Sequence, residues 1–115
     1  MLSIKKCKVI FLDSLRLYRN FSCNTITPYR IDLDQFTSFF KNIREDNNFS
    51  ITSVDGVYIS GFKNELIDKG LKKSTVVRKM KALRRFFQFL LHEKRIEANP
   101  MLFIINANAP QSLDR

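Results

Sequence analysis

The chain has few of the residues that interrupt regular structure, since only three Gly and three Pro occur among 115 residues. An all-β domain needs turn residues about every ten positions, and disordered chains have few aromatic residues. Here 11 residues are Phe and 44% are hydrophobic. The composition therefore argues against disorder and against an all-β fold. It favours one compact helical domain.

Cysteine and histidine are also scarce. Cys7, Cys23 and His92 are the only residues of these two types, so the chain cannot assemble a four-ligand zinc site by itself. We expect two reduced thiols, at least one of them packed as a small apolar group. No metal and no other cofactor is expected.

The N-terminal apolar run is short. The stretch "CKVIFLDSL" is interrupted by Asp13 and lacks a small-residue cleavage site. It is too brief to span a bilayer and does not resemble a signal peptide. We therefore expect a cytoplasmic protein without a membrane partner.

Acidic residues are nearly missing from one region. Residues 72–95 contain nine Lys and Arg residues and one acid, Glu93, whereas the other 91 residues contain 11 basic and 10 acidic residues. A solvated helix face usually mixes both signs so that ion pairs form between successive turns. A concentrated basic stripe is instead typical of a surface that binds phosphate groups, although a merely solvated face is the alternative.

The hydrophobic periodicity predicts four helices, at residues 4–20, 23–41, 52–69 and 74–95. A T-x-x-D capping box at Thr52 and Asp55 is expected to begin the third helix, and Gly70 to end it. Within the fourth helix, apolar residues form one stripe: Val76, Met80, Leu83, Phe87, Leu90 and Leu91. Basic and polar residues lie roughly opposite or at the flanks: Arg78, Lys81, Arg85, Gln88, His92, Lys79 and Arg84. Short connections make a four-helix bundle the expected fold.

The start of the second helix has two interpretations because of Pro28. A helix that begins at Cys23 would contain a proline, which removes one backbone hydrogen bond and bends the axis. Alternatively, Thr27 caps a helix whose first residue is Pro28, and residues 22–26 form a separate turn.

Two segments, "FLDSLRLYRNFSCNTITPYRIDLDQFTSFF" and "GLKKSTVVRKMKALRRFFQFLLHEKRIEANP", together carry a family resemblance. The order of Asn24-Thr25, Tyr29-Arg30 and Asp32-Leu33, followed by Gly70-Leu71, Ser74-Thr75, Ala82-Leu83-Arg84, Phe86-Phe87 and Asn99-Pro100, resembles the N-terminal core-binding domain of tyrosine recombinases, especially Xer-type enzymes. The likeness runs from residue 9 to residue 100.

The resemblance implies an all-α four-helix bundle of the integrase N-terminal SAM-like type, with residues 1–105 as the core-binding domain and residues 106–115 as the start of a linker. It also implies that the second and fourth helices lie against duplex DNA, alongside other recombinase subunits. The DNA-binding residues expected on this basis are Asn24, Thr25, Thr27, Arg30, Lys72, Lys73, Ser74, Thr75, Arg78, Lys79, Lys81, Arg84 and Arg85. Catalytic groups of such enzymes belong to a C-terminal domain, so no catalytic residue is expected here and the chain by itself is not expected to be an enzyme.

The chain departs from the family pattern where Ser-Pro commonly opens each DNA-facing helix. Ser22-Cys23 and Lys72-Lys73 occupy these places, and the second change removes a cap while adding two cations. Asn24 and Thr25 have an alternative interpretation as plain helix caps. Asp34 would repel phosphate and is not included.

Four aromatic residues carry further expectations. Tyr18, Tyr29 and Tyr58 are predicted to pack in the core rather than to act as nucleophiles. Phe89 projects away from the apolar stripe, so it is expected either to form an interface or to be covered by the C-terminal tail.

Two other function classes remain open from the sequence. One is a free-standing DNA-binding or regulatory protein with the same fold and no recombinase activity. The other is a helical interaction module whose basic face meets an acidic protein.

Overall fold

The computed structural model describes residues 3–44, 51 and 54–101, and most of these residues belong to four helices. The helices are α1 (Ile4–Leu17), α2 (Cys23–Arg44), α3 (Gly56–Asp68) and α4 (Lys73–His92). No strand occurs in the described ranges, so the all-α prediction is confirmed. The predicted boundary at residue 105 and the predicted linker lie outside the described residues.

Residues in the left-handed backbone conformation follow the ends of three helices. Gly70, at φ 80°, follows α3, and the Leu71 N–H donates to the Leu66 carbonyl at 3.3 Å, which confirms the predicted end of the third helix. α1 and α4 stop three residues earlier than predicted. Asn20 (φ 57°) and Lys94 (φ 60°) adopt the same conformation there, which the hydrophobic periodicity does not reveal.

The start of α3 differs from the prediction. Asp55 itself is the N-cap, and its carboxylate accepts hydrogen bonds from the Val57 and Tyr58 N–H groups at 3.0 and 3.4 Å. The helix therefore begins at Gly56, and Asp55 is not the acidic residue three positions after the cap of a capping box. Thr52, the predicted cap, lies outside the described residues. A short acidic side chain satisfies the first amides as well as a threonine does, so the motif alone did not decide between the two.

Of the two interpretations of Pro28, the correct one is that the proline lies inside a helix that begins at Cys23. α2 begins at Cys23 and continues through Pro28, its sixth residue, as far as Arg44. Because proline lacks an N–H group, only the Asn24 carbonyl loses its usual helical donor. The Ser22 carbonyl accepts from two N–H groups, and the Thr27 hydroxyl donates to the Cys23 carbonyl at 2.8 Å, so the first turns stay hydrogen-bonded around the proline.

Phenylalanine rings form the centre of the core. Phe36 of α2 contacts Phe62 of α3 and Phe87 of α4 edge to face, with ring centroids 5.3 and 6.4 Å apart. Phe11 of α1 contacts Phe86 of α4 at 5.5 Å. Such pairs stabilise a fold by about 1 kcal/mol each beyond simple burial. Rings from all four helices therefore hold the bundle together.

Several predictions of which side chains are buried and which are exposed are wrong. Tyr18 is 85% exposed, because α1 ends just before it, and Leu91 is also exposed. Phe89 is not exposed, since it is half-buried and its ring lies 5.4 Å from Phe11 of α1. The C-terminal tail, the other cover expected for it, lies outside the described residues. Tyr29 and Tyr58 do pack against the core, as predicted.

Both cysteines are free, Cys7 buried and Cys23 exposed, as the composition predicted. Burial raises the pKa of the Cys7 thiol from 9.0 to about 11, although the nearby positive charge of Arg95 lowers it in part. None of the described helices combines the length and the apolar character needed to cross a membrane.

Gly70→Ala should lower the free energy of unfolding by about 1 kcal/mol, because a Cβ atom strains the left-handed backbone even though the space around it is open. Gly70→Asn is the matched control, and its free energy of unfolding should fall by less, since asparagine tolerates this conformation. Equal stability of Gly70→Ala and the wild type in urea denaturation would contradict this assignment.

The two thiols should react at very different rates with a disulfide reagent at pH 8. Cys23 should react quickly, whereas Cys7 should react only on unfolding, so Cys23→Ser should abolish the fast phase. Because the pKa of Cys7 is raised by folding, its contribution to stability should be complete below pH 9 and decline between pH 9 and 11. Cys7→Ala, compared by denaturation across this range, should lack that decline.

Candidate nucleic-acid interface

One side of α4 carries the exposed cations, and we call it the basic face: Arg78, Lys81, Arg84, Arg85, Gln88 and His92. The opposite side is buried against the other three helices, at Val76, Lys79, Ala82, Leu83, Phe86, Phe87 and Leu90. Burial of these residues leaves the basic residues facing solvent along about four turns of helix. The sequence-based division of α4 into two sides is therefore confirmed, except at a few positions.

Lys79 is the important exception. It was expected at the flank of the cationic stripe as a DNA-binding residue, but it is only 5% exposed. Its Nζ donates to Asp32 Oδ1 at 2.8 Å and also to Gln35 Oε1, both on α2. The buried side of α4 is wider than its apolar stripe because α1 and α2 both pack there, so the flank at Lys79 lies beneath α2. Lys79 is therefore not part of the exposed surface on which it was expected.

Arg78 shares the carboxylate oxygen of Asp32 with Lys79. Its Nη2 lies 3.2 Å from Asp32 Oδ1, but 55% of its side chain remains exposed, whereas Asp32 is nearly inaccessible. Two cations thus meet one buried anion, which satisfies the rule that a buried charge needs a partner. Arg78 is the member of this group that reaches the surface.

Asp32 was not predicted as a functional residue. A signal for it did exist, because Asp32 lies between Tyr29, Leu33 and Phe36 on the inward side of the second helix, where an acid needs a partner. The partner is 47 residues away along the chain, at Lys79, and no local spacing identifies it.

Three cations of the basic face have no acidic partner among the described residues: Lys81, Arg84 and Arg85. A few cations elsewhere are paired, for example Lys8, which is largely buried and lies 2.7 Å from Asp34 across α1 and α2. Unpaired like charges along one face repel one another and attract a polyanion. The charge pattern inferred from the sequence is therefore present in three dimensions.

The N-terminus of α4 lies at one end of this face. Lys72 is the N-cap residue and makes no side-chain capping bond, as the change from Ser-Pro to Lys72-Lys73 predicted. The first helical amides therefore remain available for an anion, next to two cations and to Ser74, which is exposed, and Thr75, which is half-buried.

The predicted residues of α2 divide between two sides of that helix. Thr25 precedes Asp32 by seven residues and Asn24 precedes Gln35 by eleven, so each pair lies on about the same side, the side that faces α4. Both Asn24 and Thr25 are exposed. They are the second and third residues of α2, so neither occupies the N-cap position of the capping alternative.

Thr27 and Arg30 lie on the other side of α2. With Leu12, Asp13 and Arg16 of α1 they line a shallow groove, and Arg30 donates to the Thr27 hydroxyl at 3.3 Å. Arg30 is about 160° away from Asp32 around the helix, so these two residues are not brought together with the basic face.

Comparison with known proteins gives a consistent result. The family model of the phage integrase N-terminal SAM-like domain matches residues 9–94. Tyrosine recombinase XerC of Listeria monocytogenes is 36% identical over 97 residues, which cover 84% of this chain and 31% of the relative. Tyrosine recombinase XerC of Bacillus subtilis is 32% identical over 104 residues, which cover 90% of this chain and 33% of the relative.

Tyrosine recombinase XerD of Haemophilus influenzae is 28% identical over 106 residues, which cover 92% of this chain and 34% of the relative. The chain therefore spans about a third of the length of these curated relatives. No solved structure matches the chain.

Asp32→Leu should lower the free energy of unfolding by about 3–5 kcal/mol, because it leaves the buried ammonium of Lys79 without its anion. The double variant Asp32→Leu with Lys79→Met should lose much less stability, since neither charge of the pair is then left buried without its partner. Guanidinium denaturation of the single and double variants measures the difference. A double variant as unstable as Asp32→Leu would contradict the pairing.

Proposed function

Because the chain belongs to the phage integrase N-terminal SAM-like domain family, we propose that it is a DNA-binding domain of a site-specific tyrosine recombinase of the Xer type. The observation that carries the proposal is the unpaired cationic surface of α4, with three cations and an uncapped helix N-terminus on one exposed side. Duplex DNA is the ligand whose charge density fits such a continuous row of cations.

The phosphate backbone is the first element that this surface would bind. Lys81, Arg84 and Arg85 donate to phosphate oxygens and release condensed counterions, which supplies much of the affinity and makes it dependent on salt. At the beginning of α4, Lys72 and Lys73 add charge beside the free amides. Ser74 and Thr75 add hydroxyl donors there.

α2 contributes through Asn24 and Thr25, which share the side of that helix that faces α4. Their short polar side chains are suited to phosphate or base-edge contacts next to the basic face. Lys79 is left out because it is buried, and Thr27 and Arg30 because they line a groove with α1 instead. The proposed interface is therefore narrower than the set expected from the resemblance.

The role of this domain in the reaction is binding and positioning. A C-terminal catalytic domain holds the opposite face of the duplex and supplies the nucleophile and its assisting groups, while other recombinase subunits occupy neighbouring sites on the DNA. DNA integration, excision or resolution of chromosome dimers would use the domain in the same way, inside the cytoplasm. By itself it is half of a clamp and not an enzyme.

Lys81→Ala should weaken binding to a fluorescent 20-base-pair duplex and lower the slope of log affinity against log salt by about one unit, because one phosphate contact is lost. Lys41→Ala is the matched control, since Lys41 is an exposed lysine near the end of α2, away from the basic face, and its loss should change neither quantity. Anisotropy titrations at several salt concentrations measure both.

Competitors distinguish the proposal from the other function classes. Unlabelled duplex should displace the probe better than single-stranded DNA or polyglutamate. Stronger displacement by polyglutamate would favour an acidic protein partner, and equal effects of the two lysine variants would contradict the proposed surface.

A further inference from the structure

The cations of the proposed interface differ in how firmly they are held. Lys81, Arg84 and Arg85 have no carboxylate partner among the described residues, so their long side chains keep their rotational freedom. Arg78 is instead attached through Nη2 to the Asp32 carboxylate, which is itself buried and also pairs with Lys79. Among these four cations, only Arg78 is supported by a buried anion.

This difference matters because phosphate binding and base recognition have different geometric requirements. A flexible cation satisfies a phosphate from many directions, whereas reading guanine needs a guanidinium whose two donors point together at O6 and N7. A carboxylate behind an arginine reduces the entropy lost when that geometry is adopted. An oriented arginine is therefore better suited to a base edge than to a phosphate.

The position of Arg78 agrees with this requirement. It lies at the junction of α4 with α2, on the side of α2 that carries Asn24 and Thr25. The junction is the middle of the proposed interface, whereas Lys81 and Arg84 lie farther round the outer side of α4. Arg85, seven residues after Arg78, lies on about the same side as Arg78 but two turns further along the helix. Phosphate contacts fix the position of a protein on the duplex, whereas base edges are read within the grooves.

We propose that Arg78 reads a guanine in the target duplex and that Asp32 is the positioning residue that orients it. The inference rests on the proposed DNA-binding function and adds to it a division of labour among the cations. Arg78 supplies sequence preference, whereas Lys81, Arg84 and Arg85 supply affinity. Lys79 balances the charge of Asp32 from the interior side and does not contact the DNA.

The test measures binding to a pool of duplexes with randomised sequence, at low salt, followed by sequencing of the bound fraction. The variants are Arg78→Ala, the pair Asp32→Leu with Lys79→Met, and two matched controls. Lys79→Met alone keeps Asp32 beside Arg78, and Arg85→Ala removes an unsupported arginine of the same face. Circular dichroism melting checks that each variant is folded.

The wild type and Lys79→Met should prefer guanine at one position by the order of tenfold. Arg78→Ala and the Asp32 pair variant should lose this preference while retaining most of their average affinity. Arg85→Ala should weaken binding to all sequences and keep the preference. A purely structural role of Asp32 would lower average affinity without removing a preference for one base.

Three results would overturn the inference while leaving the proposed function intact. They are equal binding of all sequences by the wild type, a guanine preference that survives Arg78→Ala, and a preference that survives in the Asp32 pair variant. Failure of the wild type to bind any duplex would instead overturn the proposed function itself.

Discussion

The buried ion pair between Asp32 and Lys79 is the interaction on which the proposed interface depends, because it joins α2 and α4, the two helices that would carry that interface. Hydrophobic packing between α2 and α4 is non-directional, since the free energy that it supplies depends on the apolar area buried rather than on the orientation of particular groups. A buried charge tolerates far less displacement, because each charge is costly when it lacks its partner. The pair therefore restricts how α4 can rotate or slide against α2.

The distribution of charge around α4 follows from the same constraint. One lysine is used inside the protein to satisfy Asp32, and the arginine beside it reaches the surface from the same carboxylate. The remaining cations have no such attachment among the described residues. They repel one another in the free protein, and the aromatic core that α4 shares with the other helices offsets this cost.

The sequence was sufficient to predict the helices and the general position of the basic face, because both depend on local periodicity. Burial of Val76, Leu83 and Phe87 followed from their spacing alone. The environment of Lys79 did not, since it depends on how closely α2 approaches the flank of α4. Phe89 was misjudged for a similar reason, because its cover is Phe11 on a helix far away in the chain.

Helix ends were the other feature that the sequence described incompletely. Gly70 was recognised because glycine is the usual residue in a left-handed terminus, but Asn20 and Lys94 adopt the same conformation without that signal. Pro28 was ambiguous because a proline can open a helix or lie within it. The hydrogen bonds of the turn before Pro28 distinguish the two arrangements, because they show that α2 already begins at Cys23.

The missing cap at the start of α4 has a consequence for the energetics of the free domain. A serine or threonine at the position of Lys72 would satisfy amides of the first turn and stabilise the helix by about 1 kcal/mol. Without it, water solvates those groups and the turn frays more readily than the rest of α4. An anion that binds there completes the helix, so ligand binding and local folding become linked equilibria at this one turn.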